Sequence, residues 1–317
     1  MPTQHIPVFL SEILDWLNPQ PGQVLVDCTL GGGGHTQALA NRVSPAQICD
    51  GRTPDASVGG SLSAPATPQG RVIALDRDPA ALLAAETRLA GLSVTLVHSN
   101  FCDLPEVLKQ LQLGPVDGLL LDLGLSSDQL ADRTRGFSFA AEGPLDLRFD
   151  PELGEPASRL VNRLSAEHLA DLIFQYGEER YSRRIARAIV EQRRLRPIET
   201  ASELAALVRR CVPRSRDTDR IDPATRTFQA LRIAVNDELK SLEMLLRRIP
   251  DCVRPGGRAA VISFHSLEDR RVKEAFRDDP RLESLTRKPI RASLAEEARN
   301  PRARSAKLRV AGVVSGQ

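Results

Sequence analysis

Val24-Leu25-Val26-Asp27-Cys28-Thr29-Leu30-Gly31-Gly32-Gly33-Gly34-His35 is the stretch on which the reading of this chain turns. A short apolar run ends on a carboxylate, and four glycines then lead into a helix-like segment at 36–42. Glycine lets a backbone turn tightly and approach a ligand closely, and a helix N-terminus presents unpaired N–H groups. In an open α/β sheet, nucleotide-type ligands sit at such a place, beyond the carboxyl ends of the strands. Two familiar phosphate loops are excluded. A dinucleotide G-x-G-x-x-G needs its third glycine at position 36, which is Thr36, and no Gly-Lys-Ser/Thr follows for a P-loop.

Three further apolar runs follow, at 72–75, 94–97 and 116–121, the last interrupted by Asp117-Gly118. Each is too short for a helix and mostly apolar without alternation, as expected of strands buried on both faces. Helix-like stretches at 79–89 and 104–111 lie between them, so the order predicts a parallel sheet covered by helices. Asp76 ends the second strand and is placed to bind two ribose hydroxyls, while Asp78 is better placed to cap the next helix. His98-Ser99-Asn100-Phe101 follows the third strand, a polar group and an aromatic suited to an adenine. Asp122-Leu123-Gly124-Leu125-Ser126-Ser127-Asp128-Gln129 follows the fourth. Asp27 and Asp76 lie too far apart for one crossover unless 44–69, crowded with Ser, Ala, Pro and Gly, is a flexible surface insertion.

After Asp132 the strand pattern stops. Residues 165–196 and 201–212 read as helix, and so does 224–248, with Leu231, Val235, Leu239, Leu242 and Leu246 at spacings of three and four. Strand character returns at 259–263 and 308–314. The expected organisation is an α/β domain made of 1–132 and 224–317, with an all-helical domain inserted at 133–223.

Composition narrows the function. The 43 Lys+Arg and 41 Asp+Glu nearly cancel, but not evenly along the chain. Residues 1–132 hold 6 basic against 14 acidic side chains, and 133–317 hold 37 against 27. A basic back half is suited to a polyanion. Arg outnumbers Lys 38 to 5, which a GC-rich genome explains as well as phosphate recognition does. Cys28, Cys49, Cys102, Cys211 and Cys252 form no C-x-x-C pair, a pattern of reduced thiols that argues against a structural zinc site; no metal is expected. No run approaches the ~20 apolar residues of a membrane span. The start, Met1 to Pro7, resembles no secretory signal, so the expected location is the cytoplasm, away from membranes.

Glycine loop, acid, polar-aromatic pair and acid, in that order at four strand ends, resemble a class I S-adenosylmethionine-dependent methyltransferase with its Rossmann-like sheet. Longer matches narrow the resemblance. His5-Ile6-Pro7-Val8, Gly31 to Thr36, Leu121 to Gln129, Arg135-Gly136-Phe137-Ser138-Phe139, Gly143-Pro144-Leu145-Asp146, Tyr176-Gly177-Glu178-Glu179-Arg180, Pro223 to Ala230 and Ser263-Phe264-His265-Ser266-Leu267-Glu268-Asp269-Arg270 look like one family. That family is the bacterial ribosomal RNA small-subunit methyltransferase H, MraW type. The resemblance spans nearly the whole chain and implies S-adenosyl-L-methionine-dependent methylation of the N4 of a cytidine in 16S rRNA, in the P-site region of the decoding centre. It implies cofactor contacts from Gly33, Gly34, His35, Asp76, Phe101, Asp122 and Gln129. The small ribosomal subunit is the implied partner, the inserted helices are the implied substrate-recognition domain, and a homodimer is left open.

The chemistry that the reaction demands singles out Asp122. The lone pair of the cytosine N4 amine is delocalised into the ring, so the enzyme must hold N4 in line with the methyl group and accept an N–H. Asp122 is the candidate acceptor, with Ser126 or Ser127 as helpers; a purely cofactor-binding role is the alternative. Exocyclic-amine methyltransferases often carry Asp-Pro-Pro-aromatic here, whereas this chain has Asp122-Leu123-Gly124-Leu125. Phe137 or Phe139 is therefore expected to cover the base. Cys28 and Cys102 stand near the site but in no Pro-Cys motif, which argues against covalent C5 chemistry. His265 reads by default as a core histidine. Arg180, Arg183, Arg184, Arg187, Arg193, Arg194 and Arg196 crowd one predicted helix whose Ile185, Ile189 and Val190 supply a buried face, leaving a basic one for RNA backbone. The rival readings are a nicotinamide-dependent oxidoreductase, disfavoured by the missing third glycine, and a non-catalytic RNA-binding ribosome-assembly factor.

Overall fold

The computed structural model describes residues 6–44, 69–139, 143–213 and 222–315. Helix α1 (Leu10–Leu17) packs beneath the sheet ahead of β1 (Val24–Asp27), α2 (Gly34–Val43), β2 (Arg71–Asp76), α3 (Pro79–Arg88), β3 (Val94–His98), α4 (Leu104–Gln110), β4 (Val116–Asp122) and α5 (Ser127–Ala131). Each expected strand in this half is present and extended by one residue or two, because the apolar run continues into the strand-end polar group. The expected insertion at 44–69 lies, apart from its first and last residues, outside the described residues.

Four helices follow without a strand: α6 (Ala157–Arg163), α7 (Ala166–Gly177), α8 (Ser182–Leu195) and α9 (Ala201–Cys211). Then come α10 (Thr225–Asn236), α11 (Glu238–Cys252), β5 (Val253–Ser263), α12 (Ser266–Asp278), β6 (Leu282–Ser284), β7 (Ile290–Arg291), α13 (Leu294–Arg299), a 3-10 turn at Pro301–Ser305 and β8 (Lys307–Val313). The strand order is β3-β2-β1-β4-β5-β8-β6, with β7 beside β8. Strands β1 to β5 are parallel and β8 runs antiparallel to β5. The chain therefore builds outward from β1 in one direction and then restarts on its other side at β4. The order reverses between β1 and β4, and ligands of open α/β sheets bind at such a switch point. This is the expected Rossmann-like sheet. Among the described residues no helix is long and apolar enough to cross a membrane.

Two apolar layers sandwich the sheet. Val26, Ile73, Leu119, Val261 and the α11 face of Leu242, Leu245 and Ile249 form one; Leu25, Val72, Leu120, Ile262 and the α1 residue Ile13 form the other. The helical block has its own core of Leu145, Val161, Ile173, Ile185, Ile189, Leu204 and Val208. Ala224, which precedes α10, and Phe228 and Leu231 within it also pack in that core, while Ile233 packs with Leu239 and Leu267. Helix α10, which begins at the expected domain boundary, thus bridges the two units.

Two helices expected to be continuous are broken. The 165–196 stretch divides at Glu178 and the 224–248 stretch at Asp237, both in the left-handed region at φ 49° and 51°. At the second break the cause is visible. Asn236, almost fully buried, accepts from the Phe149 N–H at 2.8 Å and donates to the Leu147 carbonyl at 2.7 Å. Ending α10 there ties the start of the helical block to the sheet. Apolar periodicity continues across the break, so it gave no sign of it.

Candidate active site

The carboxyl ends of β1, β2 and β4 meet in one cavity of about 940 Å³, its open mouth included. The glycine loop forms one wall. Gly33 closes the turn before α2 at φ 76°, a conformation that costs a side chain about 1 kcal/mol or more. A Cβ on Gly34 would lie 3.1 Å from the Pro7 ring, so the loop packs tightly on the N-terminal segment. Gly31, Gly32, Gly34 and His35 line the cavity, whereas Gly33 faces Leu30, Leu89 and Arg88 and serves the turn.

Asp76 lies on the same wall and is held rigidly. Its two oxygens accept the Gly31 N–H at 2.8 Å and the Asp78 N–H at 2.9 Å. Burial pushes its carboxyl up to about 6 against the pull of those donors. Phe101, next to Ser99, also lines the cavity. Asp78 caps α3 through the Ala80 N–H at 3.1 Å, as read from the sequence. It also accepts from Gln129 Nε2 at 3.0 Å and from the buried Arg135 guanidinium at 3.3 Å. Gln129 Oε1 in turn accepts the Ser126 N–H at 3.0 Å, so its amide is held at both ends where it borders the cavity.

Asp122 stands at the end of β4. Its N–H donates to Thr29 Oγ1 at 2.6 Å, and its Oδ2 lies 3.6 Å from His35 Nδ1. The other oxygen, Oδ1, is sealed from solvent with no hydrogen-bond partner among the described residues. Burial pushes this carboxyl up to about 7; Arg302 opposes the shift and Glu268 adds to it. His35 is buried, and Nε2 sits 2.9 Å from the Val8 carbonyl. Burial holds His35 below the usual histidine range.

The opposite wall comes from distant parts of the chain. Phe149, Glu238, Leu239, Leu242, Glu268 and Arg302 all border the cavity. Arg302 donates to Ser127 Oγ at 3.0 Å and to the Leu125 carbonyl, fixing the loop after β4. Burial holds its guanidinium below its ordinary range. Glu238 is paired with Arg232 at 2.8 and 3.0 Å. Glu268 accepts the Phe264 N–H at 2.8 Å. Burial would raise its carboxyl, but His265, Arg232 and the Phe264 N–H together hold it below the usual range. His265 Nε2 lies 3.0 Å from Glu268 Oε1.

Several expectations change here. Phe137 is buried in the helical core and Phe139 stands edge-on to Phe228; neither reaches the cavity. Phe149, stacked on Phe137 at 5.8 Å, is the aromatic that does. Ser126, which borders the cavity, accepts the Gln129 N–H in capping α5, and Ser127 accepts from Arg302; neither contact uses the hydroxyl's own hydrogen. Glu268 lay inside a motif singled out from the sequence, but Arg302 was one arginine among 38 and had no distinguishing neighbour.

On α8 the arginines divide. Arg193 caps the end of α6 through the Val161 and Leu164 carbonyls, both at 2.7 Å, and Arg196 pairs with Glu203. Arg183, Arg184, Arg187 and Arg194 are exposed and make no ion pair among the described residues, while Ile185 and Ile189 are buried.

Comparison with known proteins follows the same lines. The MraW methylase family model matches residues 2–57 and 62–314. The chain is similar to ribosomal RNA small subunit methyltransferase H of Rhodopirellula baltica, 50% identical over 314 residues, 98% of this chain and 91% of that protein. It is 47% identical over 329 residues to the protein of the same name from Thermomicrobium roseum, covering 98% and 93% of the two chains. A crystal structure described as an rRNA methylase from Streptococcus thermophilus aligns over 97% of this chain and 93% of its own, at 11% identity and a TM-score of 0.42.

Proposed function

The chain belongs to the MraW methylase family, and from that premise we propose that it methylates small-subunit ribosomal RNA with S-adenosyl-L-methionine, at the N4 amine of one cytidine of 16S rRNA in the P-site region of the decoding centre. One observation carries the reading. Carboxyl groups at the ends of β2 and β4 converge, with a glycine loop, on a single cavity where the strand order reverses.

The residues present suit this cofactor. Asp76 takes the ribose hydroxyls: the Gly31 and Asp78 N–H groups fix its orientation and leave lone pairs on both oxygens. Phe101 covers the adenine, and the backbone at Gly34 and His35 approaches the methionine end, with Gly33 making the turn that puts it there. Gln129 holds the loop after β4 and keeps one amide N–H free for the ligand. When bound, the cofactor supplies an electrophilic methyl group on a cationic sulfur.

Asp122 accepts an N–H of the cytosine amine, bringing out lone-pair character at N4 as the N–C bond forms, and takes up the proton that N4 loses. In-line placement of N4 within ~3–3.5 Å of the methyl carbon contributes the rest. Phe149 stacks on the base at the cavity mouth. A covalent route through Cys28 is opposed by its environment, because burial pushes that thiol well above its ordinary range. The helical block, with 133–223 as its span, is the substrate-recognition domain, and the exposed Arg183, Arg184, Arg187 and Arg194 meet the RNA backbone.

The experiment is transfer of radiolabelled methyl to small subunits lacking the modification, followed by nucleoside mapping. Label in N4-methylcytidine is expected. Label at carbon 5, or none with RNA still bound, would replace this reading by C5 methylation or by a non-catalytic assembly factor. Charge reversal at Arg183, Arg187 and Arg194 is expected to flatten the salt dependence of RNA binding by about three ion equivalents; an unchanged slope puts the RNA elsewhere.

A further inference from the structure

We infer that Asp122, set beside a neutral His35, distinguishes the cationic methyl donor from its uncharged thioether product: it carries a proton when no cation lies beside it and yields that proton to solvent when one does. The inference rests on the cofactor placement proposed above and deepens it.

The geometry of the pair carries the argument. His35 Nε2 is 2.9 Å from the Val8 carbonyl. A carbonyl oxygen only accepts, so Nε2 bears the ring hydrogen and a neutral His35 presents a bare lone pair at Nδ1. That lone pair faces Asp122 Oδ2 at 3.6 Å. An ionised Asp122 would set a second acceptor against that lone pair, and at 3.6 Å the ring gives the carboxylate no hydrogen bond. Asp122 Oδ1 gives the ionised form no help either, since it is sealed without a donor among the described residues. A buried carboxylate with no hydrogen bond to its oxygens is expensive.

Charged groups approach Asp122 from four elements. Arg302, from the turn at Pro301–Ser305, favours the carboxylate, but it donates to Ser127 Oγ and the Leu125 carbonyl and makes no ion pair with Asp122. Glu268 of α12 and Asp27 of β1 disfavour the carboxylate. His35 of α2 is held neutral by burial. Together these leave Asp122 poised near neutrality, at about 7. A cation in the cavity supplies the counter-charge that the protein withholds.

The exchange balances without another reactant. Asp122 as the neutral acid, plus a cation entering from solvent, becomes Asp122 carboxylate beside that cation, plus one proton released. Methyl transfer then removes the cationic charge, and the proton lost by N4 returns Asp122 to the neutral acid. Asp122 is then ionised only while a counter-charge lies beside it.

Calorimetric titration of the intact protein with S-adenosyl-L-methionine and with S-adenosyl-L-homocysteine, in buffers of different ionisation enthalpy, tests this directly. At pH 7 about half a proton is expected to leave per S-adenosyl-L-methionine bound, and about none with the thioether. Between about pH 8 and pH 6 the sulfonium ligand should weaken about tenfold, because only the deprotonated fraction binds it, while the thioether changes less than about twofold. Asp122→Asn should abolish the release and flatten the pH dependence. His35→Gln, which can turn an N–H toward Asp122, should move the midpoint of the proton release to lower pH. Tight sulfonium binding with no proton released, equal release for both ligands, or release persisting in Asp122→Asn overturns the inference. Failure of both ligands to bind overturns the cofactor reading itself, and the inference with it.

Discussion

The carboxyl ends of β1 and β4 are neighbours in the sheet, each closes on an aspartate, and burial pushes both carboxyls upward, Asp27 to about 6 and Asp122 to about 7. The surroundings of the two differ. Asp27 lies beneath the glycine loop with both oxygens occupied, by Thr36 Oγ1 at 2.6 Å and by the Thr29 N–H at 3.1 Å. Asp122 borders the cavity with one oxygen unpartnered and the other facing a histidine lone pair. Burial alone does not separate these two carboxylates; the donors around them and the cavity beside Asp122 do. Asp27 braces the loop, and Asp122 is left for a ligand.

The contrast is sharpest in the rate of methyl transfer. Asp122→Asn should lower the single-turnover rate about 100-fold or more, the scale of a lost general base. Asp27→Asn should leave it within about threefold. Rapid-quench measurement at saturating cofactor decides between them, and a reversed order would make Asp27 the functional group.

The next effect is on stability against pH. Asp122 titrates at about 7 in the fold and near 3.9 when unfolded. Its folded pKa is raised, so its contribution to stability is fully present below about pH 4 and is lost as pH rises through about 7. Asp76 and Asp27 act with the same sign and lose theirs through about 6. Denaturant unfolding of the ligand-free protein should show Asp122→Asn gaining roughly 1–3 kcal/mol on the natural chain between pH 5 and pH 8. A constant difference would show that Asp122 is ionised throughout.

An effect of similar size, confined to stability, is at the braced end. Thr36→Val removes the donor to Asp27 Oδ2 and should cost about 1–3 kcal/mol of stability, read from the same unfolding curves, with thioether affinity within about threefold. A large loss of affinity without loss of stability would mean that the β1 end is part of the binding surface.

Much of this was legible in the chain. The four strands of the first half were visible because a strand buried on both faces must be apolar throughout, and their polar ends marked the cavity. The helix breaks at Glu178 and Asp237 were not, since apolar spacing runs through both. Asp237 turns left-handed so that Asn236 can serve Leu147 and Phe149, contacts that only exist once the helical block has docked. The same holds for Phe149. Phe137 and Phe139 were equally good aromatics on paper, and packing against Phe149 and Phe228 used them up.

The sequence by itself determined the parallel sheet, the glycine loop, and the strand-end acids Asp76 and Asp122, because hydrophobic period and strand-end chemistry are local properties. Only the tertiary structure decided which buried acid was satisfied and which was not. Donors reach Asp27 from Thr29 and Thr36 nearby, whereas Asp122 is surrounded by His35, Glu268 and Arg302, brought together across 267 positions of chain by the closing of the sheet. Hydrogen-bond satisfaction is a property of the assembled interior, and the chemistry of the site follows from it.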